Sequence, residues 1–292
     1  MRVKGVGFIM IAAVFWGISG GIGNILINKD WNPIVISFYR GAVGLLCFLS
    51  WFLLHPRRNW IASRRFQIWS LLAGIGVAGN FTFYFLSIQA SSVAIAVTLM
   101  YTAPVFVLLI SFLRGREEPT WFKGGSILVV LTGIVLLTGA YNIETISVSF
   151  AGIAAGIAAG LCYALFIFGF KNASAIGNPQ TTLMTAFIAF CLLLFMIMDR
   201  GQAVKVLTSE DLGWFLILGV LGAGISFIFY VIGIRSTAPT TASMVAMVEP
   251  VTATLYGVFL IGNPLSSTEL LGMVLILITT TLFSVKQRAE RV

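Results

Sequence analysis

The chain has 292 residues, of which 18 are Lys or Arg and 10 are Asp or Glu, and its formal net charge is +8. Hydrophobic residues make up 59% of the sequence and charged residues only 10%, whereas soluble domains contain about 25% charged residues. Because so few charges could not cover a soluble surface of this size, the composition excludes an ordinary cytosolic enzyme, a disordered chain and a disulfide scaffold.

The cysteines and the basic residues do not indicate a metal, a cofactor or a nucleic acid. Cys47, Cys162 and Cys191 each lie within an apolar run, where a free thiol behaves as a small hydrophobic group. The basic residues occupy short gaps between long apolar runs, and they form no basic stripe interleaved with aromatic residues. We therefore predict no cofactor, no metal and no nucleic-acid partner.

Ten apolar segments are long enough to cross a bilayer, whose core of about 30 Å requires about 20 helical residues. The first segment exceeds 20 residues without a small-residue cleavage site after it, so a retained helix is expected rather than a signal peptide. The predicted spans are residues 5–27, 33–54, 67–88, 91–113, 120–139, 150–170, 179–198, 212–234, 237–261 and 268–285.

The basic residues predict the orientation of these spans. With the N-terminus in the cytoplasm, 14 of the 18 Lys and Arg residues fall on the cytoplasmic side, three fall outside, and Arg40 lies within the second span. Cytoplasmic connections are the ones enriched in Lys and Arg. We therefore predict a multi-pass protein of the inner (plasma) membrane with both termini in the cytoplasm.

The two halves of the sequence resemble each other when one is shifted by 146 positions. Each half holds five spans, and because five is odd the second half must enter the membrane from the opposite side. We predict two inverted five-helix repeats, residues 1–140 and 146–292, which enclose a central cavity and alternate its access. The shift places Phe81, Phe83, Tyr84, Ile88, Ala96, Pro104 and Val105 on Phe227, Phe229, Tyr230, Ile234, Ala242, Pro250 and Val251.

Several motifs resemble, in their order and spacing, the EamA branch of the drug/metabolite transporter superfamily. They are Phe15-Trp16-Gly17, Phe38-Tyr39-Arg40, Tyr84-Phe85-Leu86-Ser87-Ile88, Met247-Val248-Glu249-Pro250-Val251 and Leu260-Ile261-Gly262. The chain departs from the family where a glutamate usually follows the last of these glycines, since Asn263 and Pro264 stand there. The resemblance implies a ten-helix transporter, usually an exporter of metabolites or drugs.

Two charged residues within the spans are candidates for the binding site. Arg40 lies about 10 Å along the second span, a depth at which arginine costs about 2.5–3.5 kcal/mol. It either faces the cavity and binds a substrate carboxylate or a helix carbonyl, or it reaches outward to the interface or fixes helix packing. Glu249 in the ninth span either carries protons, which burial would favour, or anchors a structural hydrogen bond. Its counterpart in the first half is Ala103.

Polar and aromatic residues within the spans complete the predicted site. They either line a cavity for an amphipathic solute or pack the helices, and two prolines act either as hinges or as static bends. The cavity candidates, besides Arg40 and Glu249, are Trp16, Asn80, Tyr84, Tyr101, Tyr163 and Tyr230, and the prolines are Pro104 and Pro250.

The sequence therefore predicts an all-α integral membrane protein that is not an enzyme, because no catalytic constellation is visible. The leading hypothesis is a secondary transporter that exports small organic metabolites such as amino acids by alternating access. One alternative is efflux of drugs or organic cations, with Glu249 as the counter-charge. Another is a receptor or scaffold that does not transport, which would require a signalling domain or long loops. The expected partners are a small-molecule substrate and the lipid bilayer, and a monomer and an oligomer are both left open.

Overall fold

A computed structural model describes residues 2–54, 63–142 and 149–289, and within these ranges the regular structure is helical with no strand. Ten helices in these ranges are long and apolar enough to cross a membrane, which confirms the predicted number of spans. A short helix, Arg200–Val206, lies before the eighth. We number the spanning helices α1 (Arg2–Ile27), α2 (Pro33–Leu53), α3 (Arg64–Ala90), α4 (Val93–Leu113), α5 (Trp121–Thr138), α6 (Phe150–Ile176), α7 (Pro179–Ile197), α8 (Leu212–Ser236), α9 (Pro239–Ile261) and α10 (Ser267–Ala289).

Local sequence signals fix where several helices begin and end. The Asn32 side chain accepts a hydrogen bond from the backbone N–H of Ile34 at 2.8 Å and so caps α2. Ser149 caps α6 in the same way, through the N–H of Gly152 at 3.0 Å. These caps satisfy N–H groups that have no partner within the helix. At the other end, α5 stops at Gly139, whose φ of +70° suits a residue without a Cβ.

One predicted boundary was too short, because α6 continues to Ile176 rather than ending at residue 170. The two polar residues that suggested an end find partners inside the protein. Asn172 Nδ2 donates to the carbonyl of Phe168 at 2.7 Å, and Lys171 Nζ donates to backbone carbonyls where α8 meets α9. Since both polar groups are paired, the helix can extend past the apolar run.

Helices α4 and α9 are each broken near the middle, at equivalent places. The break in α4 lies at Tyr101 and Thr102 and the break in α9 at Met247, and the shift of 146 places residue 101 on residue 247. Pro104 and Pro250 each stand in the first turn after the break, where the missing proline N–H costs little. The segments are Val93–Met100 and Ala103–Leu113 in α4, and Pro239–Ala246 and Val248–Tyr256 in α9.

The second half also contains two π-helical turns, which the sequence analysis did not predict. They are Val220–Ile225 in α8 and Gly257–Ile261 in α9. A π-turn widens the helix and redirects backbone carbonyls, and such turns are frequent at functional sites.

The packing contacts made by the helices of one half are repeated by the counterpart helices of the other half, which lie five places away in chain order. Helix α3 packs on α6 as α8 packs on α1, and α4 packs on α6 as α9 packs on α1. The pairs α2–α7 and α5–α10 are their own counterparts. We call α3, α4 and α6 the α6 bundle, and α1, α8 and α9 the α1 bundle. Such a pattern is expected of two halves with opposite orientation; their junction, residues 143–148, lies outside the described residues.

The bundle has two ends, which we name after the connections found there. The α8–α9 end also carries the α4–α5 connection and the last turn of α6, whereas the α3–α4 end also carries the α9–α10 connection and the first turn of α6. The α1–α2 connection lies at the α3–α4 end, where Lys29 and Trp31 both donate hydrogen bonds to the Asp211 carboxylate before α8.

These two hydrogen bonds hold the pKa of Asp211 below its usual range. A carboxylate with a depressed pKa stabilises the fold above its ordinary pKa of about 3.9, and this contribution is lost as the pH falls through the depressed value. We therefore expect Asp211→Asn to lower the melting temperature at pH 7, and the difference from the wild type to shrink below about pH 4. Thermal unfolding in detergent at several pH values measures it, and a difference independent of pH would contradict the assignment.

Candidate functional site

Arg40 reaches from α2 across to α8. Its Nε and Nη2 atoms donate to the carbonyl oxygen of Gly222 at 3.0 and 2.8 Å. Gly222 belongs to the π-turn of α8. The guanidinium carbon also lies 4.9 Å from the ring centroid of Phe81, which is within the range of a cation–π interaction. Of the predicted alternatives for Arg40, the structure thus shows a bond to a helix carbonyl.

The contact between Arg40 and α8 depends on the absence of a side chain at Gly222. A Cβ atom at that position would lie 2.6 Å from Ser19 Cβ and 2.8 Å from Arg40 Nε. Real Cβ atoms essentially never approach other atoms this closely. Gly222 therefore supplies both the acceptor for the guanidinium and the space that it occupies.

We expect Gly222→Ala to destabilise the protein by about 1–3 kcal/mol, the usual cost of overpacking a filled site, and to displace the Arg40 guanidinium. Gly224→Ala is the matched control, because it lies in the same π-turn and its added Cβ would come no closer than 3.3 Å to another residue, at Cys47 Sγ. Thermal unfolding of both variants in detergent measures the difference. Equal losses of stability would show that any added methyl in this turn is costly, and that Gly222 has no special role.

Glu249 brings the opposite charge to the same region from α9. Glu249 is half-buried, and Tyr101, at the break of α4, lies beside its carboxylate. Arg40 lies within its electrostatic range. A Cβ at Gly17 of α1 would lie 2.6 Å from the backbone oxygen of Glu249, so α1 backs this turn closely. The site thus places an arginine and a glutamate from different halves opposite each other.

A layer of aromatic rings separates these charges from the α8–α9 end. The Trp16 ring centroid lies 5.1 Å from that of Phe227 and 5.0 Å from that of Tyr230, and Tyr163 meets Phe166 edge to face at 4.5 Å. Along α8, the residues that meet Arg40 come first and the two aromatic residues follow toward its end. Since all five rings are at most 4% exposed, this aromatic layer closes the site on that side.

Four buried polar atoms in or next to the aromatic layer have no hydrogen-bond partner in the described residues. Trp16 Nε1, the hydroxyl oxygens of Tyr163 and Tyr230, and Ser226 Oγ are buried, and none has a hydrogen-bond partner within the described ranges. A buried polar group without a partner costs about 1–3 kcal/mol, so such groups usually meet a ligand or a bound water. Tyr163 lies within electrostatic range of both Glu249 and Tyr230, so the unpartnered ring atoms border the region of the two charges.

Asn80 and Tyr84, also predicted to line the cavity, have different surroundings. Asn80 Nδ2 donates to the carbonyl of Ala159 at 3.0 Å, so this buried side chain joins α3 to α6. Tyr84 is half-buried and lies within electrostatic range of Glu249. Tyr84 is thus near the charged pair, whereas Asn80 is engaged in helix packing.

The sequence analysis missed two residues that hold the Arg40 guanidinium, Gly222 and Phe81. Phe81 was noted only as a repeat counterpart of Phe227, and the glycines around residue 222 gave no sign that a carbonyl would be available. Within the described residues, no group of three or more His, Cys, Asp or Glu side chains is placed to hold a metal ion.

A separate cavity of about 180 Å³ opens at the α3–α4 end, between α1, α9 and the start of α10. None of the predicted site residues lines it. Its polar lining residues are Asn24, Thr254, Tyr256, Asn263 and Glu269.

Comparisons with known proteins agree with this architecture. A solved crystal structure covering 100% of both chains matches with a TM-score of 0.76 at 17% sequence identity, which shows the fold. An uncharacterized transporter of Bacillus subtilis, YwfM, is 24% identical over 97% of this chain and 95% of its own length. The threonine/homoserine exporter RhtA of Escherichia coli is 25% identical over 86% of this chain and 83% of its own length.

The model of the EamA-like transporter family matches residues 3–139 and again residues 150–285. Together with ten membrane-spanning helices, this match indicates a multi-pass membrane transporter with a small-molecule substrate. The chain belongs to the EamA-like transporter family.

Proposed function

We propose that the protein is a secondary transporter of the plasma membrane that exports amino acids or similar small zwitterions by alternating access. The observation that carries this proposal is that Arg40 and Glu249, from different halves, lie within electrostatic range of each other, near buried polar atoms without a hydrogen-bond partner in the described residues. Such a set offers one positive charge, one negative charge and several hydrogen bonds to a small solute.

The geometry suits a zwitterion in a specific way. Two of the five N–H groups of the Arg40 guanidinium bind the Gly222 carbonyl, which leaves donors for a substrate carboxylate. Glu249, with Tyr101 beside it, is the acceptor for a substrate ammonium. The rings of Trp16 and Tyr230 offer an apolar surface to the side chain of the solute.

The names of the relatives support this substrate class. RhtA of Escherichia coli is named a threonine/homoserine exporter, and both of those solutes are small zwitterions with a hydroxyl group. The unpaired hydroxyls of Tyr163 and Tyr230 are chemically suited to such a substrate.

The direction of access follows from the predicted orientation. Basic residues gather at the α8–α9 end, where Lys171 and Arg235 lie with the α4–α5 connection. We propose that this end faces the cytoplasm. The structure, closed there by the aromatic layer, is then the state that has released its substrate outward.

A second candidate is efflux of organic cations, and one observation favours it. Arg40 already binds the Gly222 carbonyl and the Phe81 ring, so Glu249 with Tyr84 and Tyr101 around it forms an aromatic site for a cation.

Uptake by purified protein in liposomes tests both candidates. We expect labelled L-threonine to accumulate above protein-free liposomes, and unlabelled L-homoserine to compete with it. Tetraphenylphosphonium, a cation without a carboxylate, should neither accumulate nor compete. Transport of the cation without transport of L-threonine would reject the zwitterion in favour of cation efflux, and movement of neither would reject both.

A further inference from the structure

We propose that Glu117 and Lys171 form a clasp that locks the α8–α9 end shut, and that the site opens to that end only when both release the connection between α8 and α9. Glu117 follows α4 and Lys171 lies in α6, so both are on the side of the α6 bundle. The groups that they bind belong to the α1 bundle or directly follow its helix α8. This inference rests on the alternating access proposed above, but its test uses no substrate.

Glu117, in the α4–α5 connection, holds the start of α9. One carboxylate oxygen accepts a hydrogen bond from Thr240 Oγ1 at 3.1 Å and lies 3.5 Å from the backbone N of Thr240. The other oxygen accepts from Lys123 Nζ at 3.1 Å. The pair with Lys123 joins two neighbouring residues of the α4–α5 region, whereas the bonds to Thr240 reach α9 of the α1 bundle. Separation of the two bundles at this end would therefore break the bonds to Thr240 and keep the ion pair.

Lys171, in the last turns of α6, holds the same connection from its other side. Its Nζ donates to the carbonyls of Ile234, Arg235 and Thr237, at 2.9, 3.0 and 2.7 Å. These carbonyls belong to the C-terminal end of α8 and the residue after it, where a cation is favourably placed. The clasp therefore binds the end of one helix of the α1 bundle and the beginning of the next.

The opposite end lacks an equivalent of this clasp. The shift of 146 places Lys171 on Ile25, Glu117 on Asn263 and Thr240 on Ala94. Ile25 and Asn263 carry no charge and Ala94 has no hydroxyl, so the bonds of the clasp cannot form between these counterparts.

Burial follows the same asymmetry. Residues 239–247 of α9, at the clasped end, are all buried, whereas the equivalent stretch of α4 begins with Val93, which is 57% exposed. Tyr230 is fully buried while its repeat counterpart Tyr84 is half-buried. The clasped end is thus shut while the α3–α4 end is looser, as expected if the clasp holds one of two alternative states.

Hydrogen–deuterium exchange of the purified protein tests the clasp through two single variants, Thr240→Val and Lys171→Met. Loss of a hydrogen bond to a charged group shifts an equilibrium by about tenfold or more. We therefore expect amides of residues 234–243 to exchange about tenfold faster in each variant, while amides of residues 88–97 exchange more slowly because the α3–α4 end closes. Thr280→Val is the matched control, since that buried threonine bonds only carbonyls of its own helix α10.

Slower amide exchange at residues 88–97 distinguishes a change of access state from simple fraying of the helix ends. Faster exchange at residues 234–243 alone, or no change in either stretch, would overturn the proposal. If Lys171→Met fails to fold, Thr240→Val applies the same test with a smaller change. Should wild-type protein move no L-threonine while both exchange changes occur, the substrate assignment fails and the clasp stands.

Discussion

Arg40→Gln should raise the KM for L-threonine uptake into liposomes at least tenfold, which corresponds to about 1.4 kcal/mol of lost binding. Glutamine removes the positive charge that would meet the substrate carboxylate, and a hydrogen bond to an ionised donor is roughly twice as strong as a neutral one. Arg40→Lys should recover only part of the loss, because an ammonium cannot bind the Gly222 carbonyl and a carboxylate with the same planar fork.

Arg200→Gln is the matched control for this variant, because Arg200 is exposed on the short helix outside the spans. It should leave KM unchanged. A KM for Arg40→Gln equal to that of the wild type, with an unchanged melting temperature, would show that Arg40 serves helix packing and not the substrate.

Glu249→Gln should abolish the response of transport to a pH gradient. We propose that the Glu249 carboxylate holds either a substrate ammonium or a proton, so that one leaves as the other arrives. Wild-type liposomes that are acidic inside should then take up L-threonine faster than liposomes without a gradient, because protons leave as substrate enters. The glutamine side chain carries no titratable proton, so the variant should show one slow rate, reduced about tenfold or more by the lost charge, at every gradient.

Glu210→Gln is the corresponding control, since Glu210 is exposed and lies outside the spans. It should keep both the rate and the acceleration by the gradient. If Glu249→Gln were still accelerated, the carboxylate would be a structural anchor for Tyr101 and the proton would travel elsewhere or not at all.

The number and placement of the spans could be predicted because lipid makes a simple demand on sequence. A helix in a bilayer must satisfy its own backbone and present apolar side chains over about 20 residues, and that demand is visible in one sequence. The main error was the predicted end of α6. Lys171 and Asn172 end the apolar run but not the helix, because each forms hydrogen bonds inside the protein.

The site was harder to predict because it depends on backbone geometry in distant helices. Arg40 and Glu249 stood out as charges within spans, and Pro104 and Pro250 marked the neighbourhood of the helix breaks. Nothing in the local sequence indicated that a π-turn would present the carbonyl of Gly222 to an arginine 182 residues away. Asn80 looked like a cavity residue because polarity alone does not separate a side chain that joins two helices from one that awaits a ligand.

The unequal burial of α4 and α9 has a kinetic consequence. If the two ends are closed by different contacts, the substrate-free protein populates its two access states unequally. Half-saturation and maximal velocity should then differ between influx and efflux of the same solute. Detailed balance nevertheless ties the four constants together, so without a driving gradient the solute still reaches equal concentrations on both sides.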